Sequence, residues 1–166
     1  YRKALYSKVL TFDPAQMTDT ASLSVTNQIY DGLLEFGSHF EIEKALAESW
    51  QTSSDGLTIT FKLRANAKFH DGTPVSSADC VRSFERLVAK QSIVSKNYEV
   101  ILGAAEFRDG KSTTVKGLEA PEPLIFIIRL KNKYPPFPAV LAGATAKILP
   151  KSKVDDSKFF EHPIGT

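Results

Sequence analysis

The most regular pattern in this chain is a strict alternation of apolar and polar residues between positions 57 and 64. Leu57, Ile59, Phe61 and Leu63 are apolar, and every residue between them is polar. A period of two predicts a β-strand with one buried face and one face exposed to water. Asp55-Gly56 lies just before this strand, and that pair between two strand-like runs predicts a tight hairpin turn.

A helix is predicted soon after this strand. Ser76 can act as its N-cap, and Asp79, three residues later, completes a capping box. Val81, Phe84 and Val88 then recur at helical spacing. Because only a short turn joins strand and helix, the two must fold back on each other. We therefore predict that Phe61 and Phe84 are buried together in one core.

The second half of the chain predicts another hairpin and two short helices. Residues 124–130 are apolar on both faces, which indicates a central strand. Residues 115–120 are expected to pair with it across Pro121-Glu122-Pro123. Residues 98–107 have the spacing of a short helix, and a short apolar helix is expected after Pro138.

The first thirty residues predict a strand, a loop and a helix. Residues 3–10 are weakly strand-like, and Pro14 ends the strand because proline cannot continue a hydrogen-bonded ladder. A polar loop from Ala15 to Thr20 follows. The helix is expected to begin at Thr20 or Ser22 and to end near Asp31-Gly32, where glycine serves as a C-terminal cap.

Composition narrows the class of protein. The chain has 166 residues, 42% of them hydrophobic and 24% charged, which is ordinary for a globular protein. The net charge of +2, with no basic run longer than two residues, argues against nucleic acid as a partner. The sequence begins at Tyr1 without a signal peptide or initiator Met, so we expect Tyr1 to be a processed end or an artificial boundary.

Reactive side chains are few. Cys80 is the only cysteine, so no internal disulfide can form, and its helical position predicts a buried thiol. His70-Asp71 is better explained as a strand end and a turn than as a catalytic pair. His39 and His162 lack metal-ligand spacing, and there is no phosphate-binding glycine loop or nucleophile elbow. The sequence therefore predicts no enzyme, no metal and no cofactor.

Several motifs, taken together, resemble family 5 of the extracellular solute-binding proteins, the oligopeptide-, dipeptide- and nickel-binding receptors of bacterial ABC importers. The longest runs from Phe61 to Leu87 and includes Lys68-Phe69, Asp71-Gly72, Pro74 and Asp79. Shorter matches lie elsewhere in the same order as in the family: Asp13-Pro14, Ile29 to Leu34, Ala45 to Trp50, and Ile148 to Lys151.

The resemblance implies an α/β fold of the type II periplasmic-binding-protein class, here its N-terminal part. Residues 1–31 would begin the large ligand-binding lobe, and residues 32–149 would form an extra α+β subdomain with a mixed sheet. Residues 150–166 would return to the large lobe. Because the chain stops inside a family motif, we expect it to be a fragment.

The implied function is capture of a peptide or similar small solute and its delivery to the membrane subunits of an ABC permease. A periplasmic or extracellular location follows, with a lipid anchor to the membrane as an option, and a monomer is expected. Two other classes stay open. One is a receptor-like regulator with the same fold, and the other is a hydrolase on a related scaffold.

The resemblance also indicates a site. Relatives have a ligand-facing loop between Asp13-Pro14 and Asp31-Gly32, which here holds Met17, Thr18, Asp19 and Thr20. Hydroxyls and a carboxylate can accept hydrogen bonds from a ligand's amino group or peptide N–H. Tyr98 is a further candidate ligand contact. The alternatives are that the loop merely connects, with Thr20 capping the helix, and that Tyr98 packs against the protein.

Overall fold

The computed structural model describes residues 7–156 and 158–166. The described residues form short helices and strands, of which the longest has 12 residues. In chain order they are the 3-10 helix Pro14–Gln16, α1 (Thr20–Thr26), β1 (Leu34–Phe36), β2 (Ile42–Lys44), β3 (Ala47–Thr52), β4 (Thr58–Leu63), α2 (Ser77–Val88), the 3-10 helix Ser95–Tyr98, α3 (Ala104–Arg108), β5 (Leu118–Glu122), β6 (Ile125–Arg129) and α4 (Phe137–Leu141).

The main sheet has four strands in the order β3-β4-β6-β5, and each pairing is antiparallel, so the mixed sheet predicted for residues 32–149 is wrong. Its two central strands are the ones with the strongest apolar pattern, as the sequence predicts. Their register sets Phe61 opposite Phe126 and Ile59 opposite Ile128, all four buried. Pro121 lies in the edge strand β5, where a missing N–H donor is tolerated.

Helix α2 packs on this sheet through aromatic rings. Phe61 and Phe84 each stack on Phe126, with ring centroids 6.2 Å and 5.6 Å apart. Tyr98 meets Phe84 edge-on at 5.9 Å. All four side chains are buried, so the prediction that Phe61 and Phe84 share one core is confirmed.

The predicted capping box at the start of α2 is present and holds a distant segment as well. Asp79 Oδ2 accepts the backbone N–H of Ser76 at 2.9 Å, and Asp79 Oδ1 accepts that of Lys151 at 2.9 Å. One turn later, Ser83 Oγ accepts the N–H of Leu149 at 2.9 Å. The same helix face therefore fixes residues 149–151 as the chain returns from α4.

The prediction of one helix over residues 98–107 is wrong. Ser95–Tyr98 form a 3-10 helix, and α3 begins only at Ala104. Between them Ile101 bridges Leu130, beyond the end of β6, and Gly103 adopts φ of +81°, which interrupts a right-handed helix. Pairing with the sheet thus outweighs the local helical spacing.

The N-terminal expectations are met in part. Residues 1–6, which include the first half of the predicted strand, lie outside the described residues, and residues 7–10 form no strand. Helix α1 ends at Thr26 rather than near Asp31, because the next amides, of Gln28 and Ile29, bond three residues back and tighten the turn. The hairpin β1–β2 was not predicted, since its strands are only three residues long.

Candidate functional site

The predicted ligand loop begins with a short capped turn. Asp13 is the N-cap of the 3-10 helix Pro14–Gln16, and its Oδ1 accepts the N–H of Ala15 at 2.9 Å. The turn directs the next side chain inward, so Met17 is only 2% exposed. Thr18 is the first exposed residue after it. The protein itself therefore surrounds the Met17 side chain, and its part in ligand binding stays a prediction.

Asp19 and Thr20 occupy the start of α1. Asp19 is the N-cap, with Oδ1 accepting the N–H of Ser22 at 2.8 Å, and this bond holds the carboxyl pKa below its usual value. Thr20 is the first helical residue and is exposed. The alternative that Thr20 caps the helix is therefore wrong, because Asp19 does so. The Asp19 side chain remains partly exposed beside the two threonines.

The loop lies against the connection that follows α2. Ile93 N–H donates to the carbonyl of Ala15 at 3.1 Å, and Ser92 Oγ lies 3.4 Å from the same oxygen. Gln16 Nε2 donates to the carbonyl of Gln91 at 2.6 Å. The loop that holds four of the five candidate residues thus lies beside residues 91–93, in the connection that leads to Tyr98.

Tyr98 itself faces elsewhere. Its side chain is fully buried, and its hydroxyl lies 3.0 Å from Thr145 Oγ1. Burial raises the pKa of Tyr98 to about 12. The structure thus surrounds the Tyr98 ring with protein, and its part in ligand binding stays a prediction.

Two exposed apolar side chains beside the loop were missed. Ile93 is 51% exposed and Leu10 is 71% exposed. Leu10 is tied to the start of α1 by its N–H, which donates to Ser22 Oγ at 3.0 Å. The only signal in the sequence was a pair of adjacent apolar residues, Val9-Leu10 and Ile93-Val94, which is too common to mark a site.

We call Leu10, Thr18, Asp19, Thr20 and Ile93 the loop surface. Its residues carry two hydroxyls, a carboxylate and two exposed aliphatic side chains, on segments linked by the bonds of Leu10 to Ser22 and of Ile93 to Ala15. Such a set can accept hydrogen bonds from an amino group or peptide N–H while covering an apolar side chain. A cavity of about 220 Å³ adjoins it, lined among others by Ala15, Gln16, Gln91 and Ser92.

The remaining reactive side chains serve the fold. Cys80 is fully buried as predicted, and burial raises the pKa of its thiol. His70 N–H donates to the carbonyl of Gly165 at 2.8 Å, and Nδ1 lies 3.2 Å from the N–H of Gly165. Within residues 7–156 and 158–166, no three His, Cys, Asp or Glu side chains are grouped to hold a metal ion, and no helix is long and apolar enough to cross a membrane.

Comparison with known proteins assigns the family. Residues 41–166 match the family described as bacterial extracellular solute-binding proteins, family 5 Middle. The chain belongs to this family. The resemblance drawn from the sequence motifs is confirmed, and so is the fold class that it implied.

Relatives of this family 5 chain include named binding proteins. It is 33% identical over 165 residues to the glutathione-binding protein GsiB of Escherichia coli O1:K1, a match that covers 98% of this chain and 30% of GsiB. The OppA structure from Haemophilus influenzae, in complex with RPPGFSPFR, superimposes with a TM-score of 0.87 at 27% identity, covering 93% of this chain and 32% of OppA.

A third relative binds a different kind of peptide. The murein tripeptide binding protein MppA of Escherichia coli superimposes with a TM-score of 0.83 at 29% identity, covering 93% of this chain and 32% of MppA. The family 5 chain therefore spans about 30% of the length of the curated relatives it matches.

Proposed function

We propose that this chain contributes one wall of the ligand cleft in a solute-binding protein of an ABC importer, and that the loop surface contacts the solute. The observation that carries the proposal is the contact between Ala15 and Ile93, since it joins the loop and the connection after α2 into one surface within a family 5 fold. The bound solute would then be handed to the membrane permease.

The ligand class is a short peptide. Of the three relatives above, one is named for glutathione, one for a murein tripeptide, and one is described in complex with RPPGFSPFR; glutathione is itself a tripeptide. The loop surface suits that class because Thr18, Asp19 and Thr20 can accept from a peptide amine or N–H, while Leu10 and Ile93 can cover a side chain.

We infer that a second lobe closes over this surface by a hinge motion that removes water from the ligand. The short span of this chain relative to GsiB supports that division. Tyr30, Leu149, Val154 and Phe159 form a small apolar cluster of their own, which supports the proposed lobe boundaries. Ala15 belongs to the main core and Ile164 packs against both clusters, so the two parts are in contact.

We further propose that the protein acts outside the cytoplasm as a monomeric binding component and not as an enzyme. MppA is described as periplasmic, and the relatives named above are binding proteins. Anchoring by a lipid and the contact with the permease belong to the same proposal. A hydrolase would need a nucleophile beside a base, and the buried Cys80 thiol suits neither position.

The test is an NMR titration of the chain with glutathione at up to about 10 mM, where a millimolar dissociation constant is measurable. We expect amide shifts at Thr18, Asp19, Thr20 and Ile93. Ile93→Ser should weaken the response, while Phe36→Ser, a similarly exposed apolar residue on the β1–β2 hairpin, should not. Shifts confined to other surfaces, or none at all, would remove the loop surface from the site.

A further inference from the structure

Asp13, which starts the ligand loop, is held by a residue of α2. Arg86 Nη1 donates to Asp13 Oδ1 at 2.5 Å, and Nη2 donates to Oδ2 at 2.7 Å. The two side chains are only 23% and 9% exposed. Two parallel bonds between a guanidinium and a carboxylate fix the orientation of both groups, which a single contact would not do.

Arg86 also meets the returning end of the chain. Its guanidinium carbon lies 4.7 Å from the ring centroid of Phe160, over the ring face. One side chain thus joins three segments that are far apart in sequence. They are the loop start at Asp13, helix α2, and the segment that holds Phe159 and Phe160.

The carboxylate that Arg86 orients is the one that shapes the loop. Asp13 Oδ1 accepts from Arg86 and also from the N–H of Ala15, the bond that begins the 3-10 helix. The carbonyl of Ala15 in turn receives the N–H of Ile93. A continuous series of hydrogen bonds therefore runs from α2 through Asp13 and Ala15 to the exposed Ile93.

We propose that Arg86 is a positioning residue for the loop surface, acting through Asp13 to hold Ala15–Thr18 against Ile93. The proposal rests on the proposed function only in assigning ligand contact to that surface. Lysine cannot replace arginine here, because an ammonium group forms neither the two-pronged bond nor the flat stack on Phe160. Loss of the fork would leave a nearly buried Asp13 carboxylate without its matched partner.

Helix α2 offers a matched control one turn earlier. Arg82 also forms two hydrogen bonds to one aspartate: Nε donates to Asp155 Oδ2 at 3.2 Å, and Nη2 donates to Oδ1 at 2.5 Å. That aspartate is 65% exposed, and neither residue bonds to the loop. Arg82 and Asp155 line the same cavity as Ala15 and Gln16, but their bonds are to each other and to Glu85. Arg82→Lys therefore makes the same chemical change on the same helix while leaving the hydrogen bonds of the loop in place.

The experiment is native-state hydrogen exchange on the full chain, comparing Arg86→Lys with Arg82→Lys. The amides to follow are Gln16 and Ile93, which bond to the carbonyls of Asp13 and Ala15. Leu63 and Leu130, whose amides bond within the main sheet, report global opening. We expect Arg86→Lys to accelerate exchange at Gln16 and Ile93 by about tenfold more than at Leu63 and Leu130. Arg82→Lys should show no such difference.

Equal acceleration at all four amides in Arg86→Lys would mean that Arg86 stabilises the protein without positioning the loop, and would overturn the proposal. No acceleration at all would do the same. If Arg86→Lys does not fold, Asp13→Asn decides in the same way, since it keeps an acceptor for Ala15 but removes the charge that Arg86 grips. If neither variant folds, the pair serves the whole fold and the proposal fails.

Because the exchange experiment contains no ligand, its outcome is independent of the glutathione titration. A loop that loosens in Arg86→Lys but gives no shift with glutathione would retain the positioning residue and remove the proposed function. A loop that responds to glutathione but keeps its exchange rates in Arg86→Lys would retain the proposed function and remove Arg86 as a positioning residue.

Discussion

At the scale of single residues, the core depends on rings stacked between sheet and helix. Phe84 lies on Phe126 at 5.6 Å and receives the edge of Tyr98 at 5.9 Å, with no exposed surface of its own. Its burial could be predicted because helical spacing and the capped start fixed which face of α2 turns inward. The partner of the Tyr98 hydroxyl could not, because Thr145 lies 47 positions away and no local pattern links them.

Phe84→Ala should reduce the free energy of unfolding by about 3–5 kcal/mol, because it removes a fully buried ring from a packed cluster. Urea denaturation followed by tryptophan fluorescence or circular dichroism would measure the change. Phe36→Ala is the control, since Phe36 is 45% exposed on the β1–β2 hairpin and should change stability little. A loss below about 1 kcal/mol in Phe84→Ala would contradict the packing described here.

The Cys80 thiol should not react with a thiol reagent in the native protein. It is fully buried, so the reagent cannot reach the sulfur. Burial together with the neighbouring Asp79 also raises its pKa, so little of the reactive thiolate is present. Labelling with a chromogenic disulfide should be complete only after denaturant is added. Rapid labelling of the folded protein would mean that the first turn of α2, which holds Cys80, opens readily. That result would contradict the burial described above.

At the scale of elements, local signals succeeded where a turn or cap is built from adjacent residues. The β3–β4 hairpin has Gly56 at φ of +71°, as its Asp-Gly pair predicts, and Ser76 and Asp79 form the expected capping box. Local signals failed for residues 98–107, where pairing of Ile101 with Leu130 competes with helix formation. Whether a pairing partner is available there depends on Leu130, which lies 29 positions after Ile101 and outside any local pattern.

The turn before α2 should make the free energy of unfolding depend on pH in the acid range. The Thr73 hydroxyl, the Lys153 ammonium and the Thr73 N–H all donate to Asp71 and lower its pKa to about 2, from an ordinary value of 3.8. A carboxyl pKa that is lower in the folded state contributes stability above the unfolded pKa. That contribution is lost as pH falls from about 4 through 2.

NMR titration of the Asp71 carboxyl should therefore give a midpoint near 2, and Asp71→Asn should flatten the fall in stability between pH 4 and 2. Lys153→Met should move the midpoint upward because it removes one of the three donors. Asp109→Asn, at an exposed turn, serves as the control for general charge effects. An Asp71 midpoint near 4 would exclude the turn geometry described above.

At the scale of the whole molecule, the order of motifs was enough to identify the family and its fold, because each motif encodes a local turn, cap or strand that recurs at a set place. The contacts that assemble the loop surface are of another kind. Arg86 with Asp13, and Ile93 with Ala15, join segments more than seventy positions apart. Only the folded chain shows that two signature segments, the Asp-Pro turn and the Arg-Leu end of α2, meet at one ion pair.

This chain should fold by itself but carry only part of the proposed binding function. The main sheet, α2 and the cluster around Phe84 and Phe126 form one continuous core, so the chain should unfold cooperatively on its own. The loop surface is only one wall, and binding to one wall removes less ligand surface from water than a closed cleft does. We therefore expect glutathione to bind the chain no more tightly than about 1 mM, worth about 4 kcal/mol. Isothermal titration calorimetry would measure this, with thermal unfolding followed on the same sample to establish that it is folded. A micromolar dissociation constant for the isolated chain would mean that its own residues complete the site, and the inference of a closing second lobe would fail.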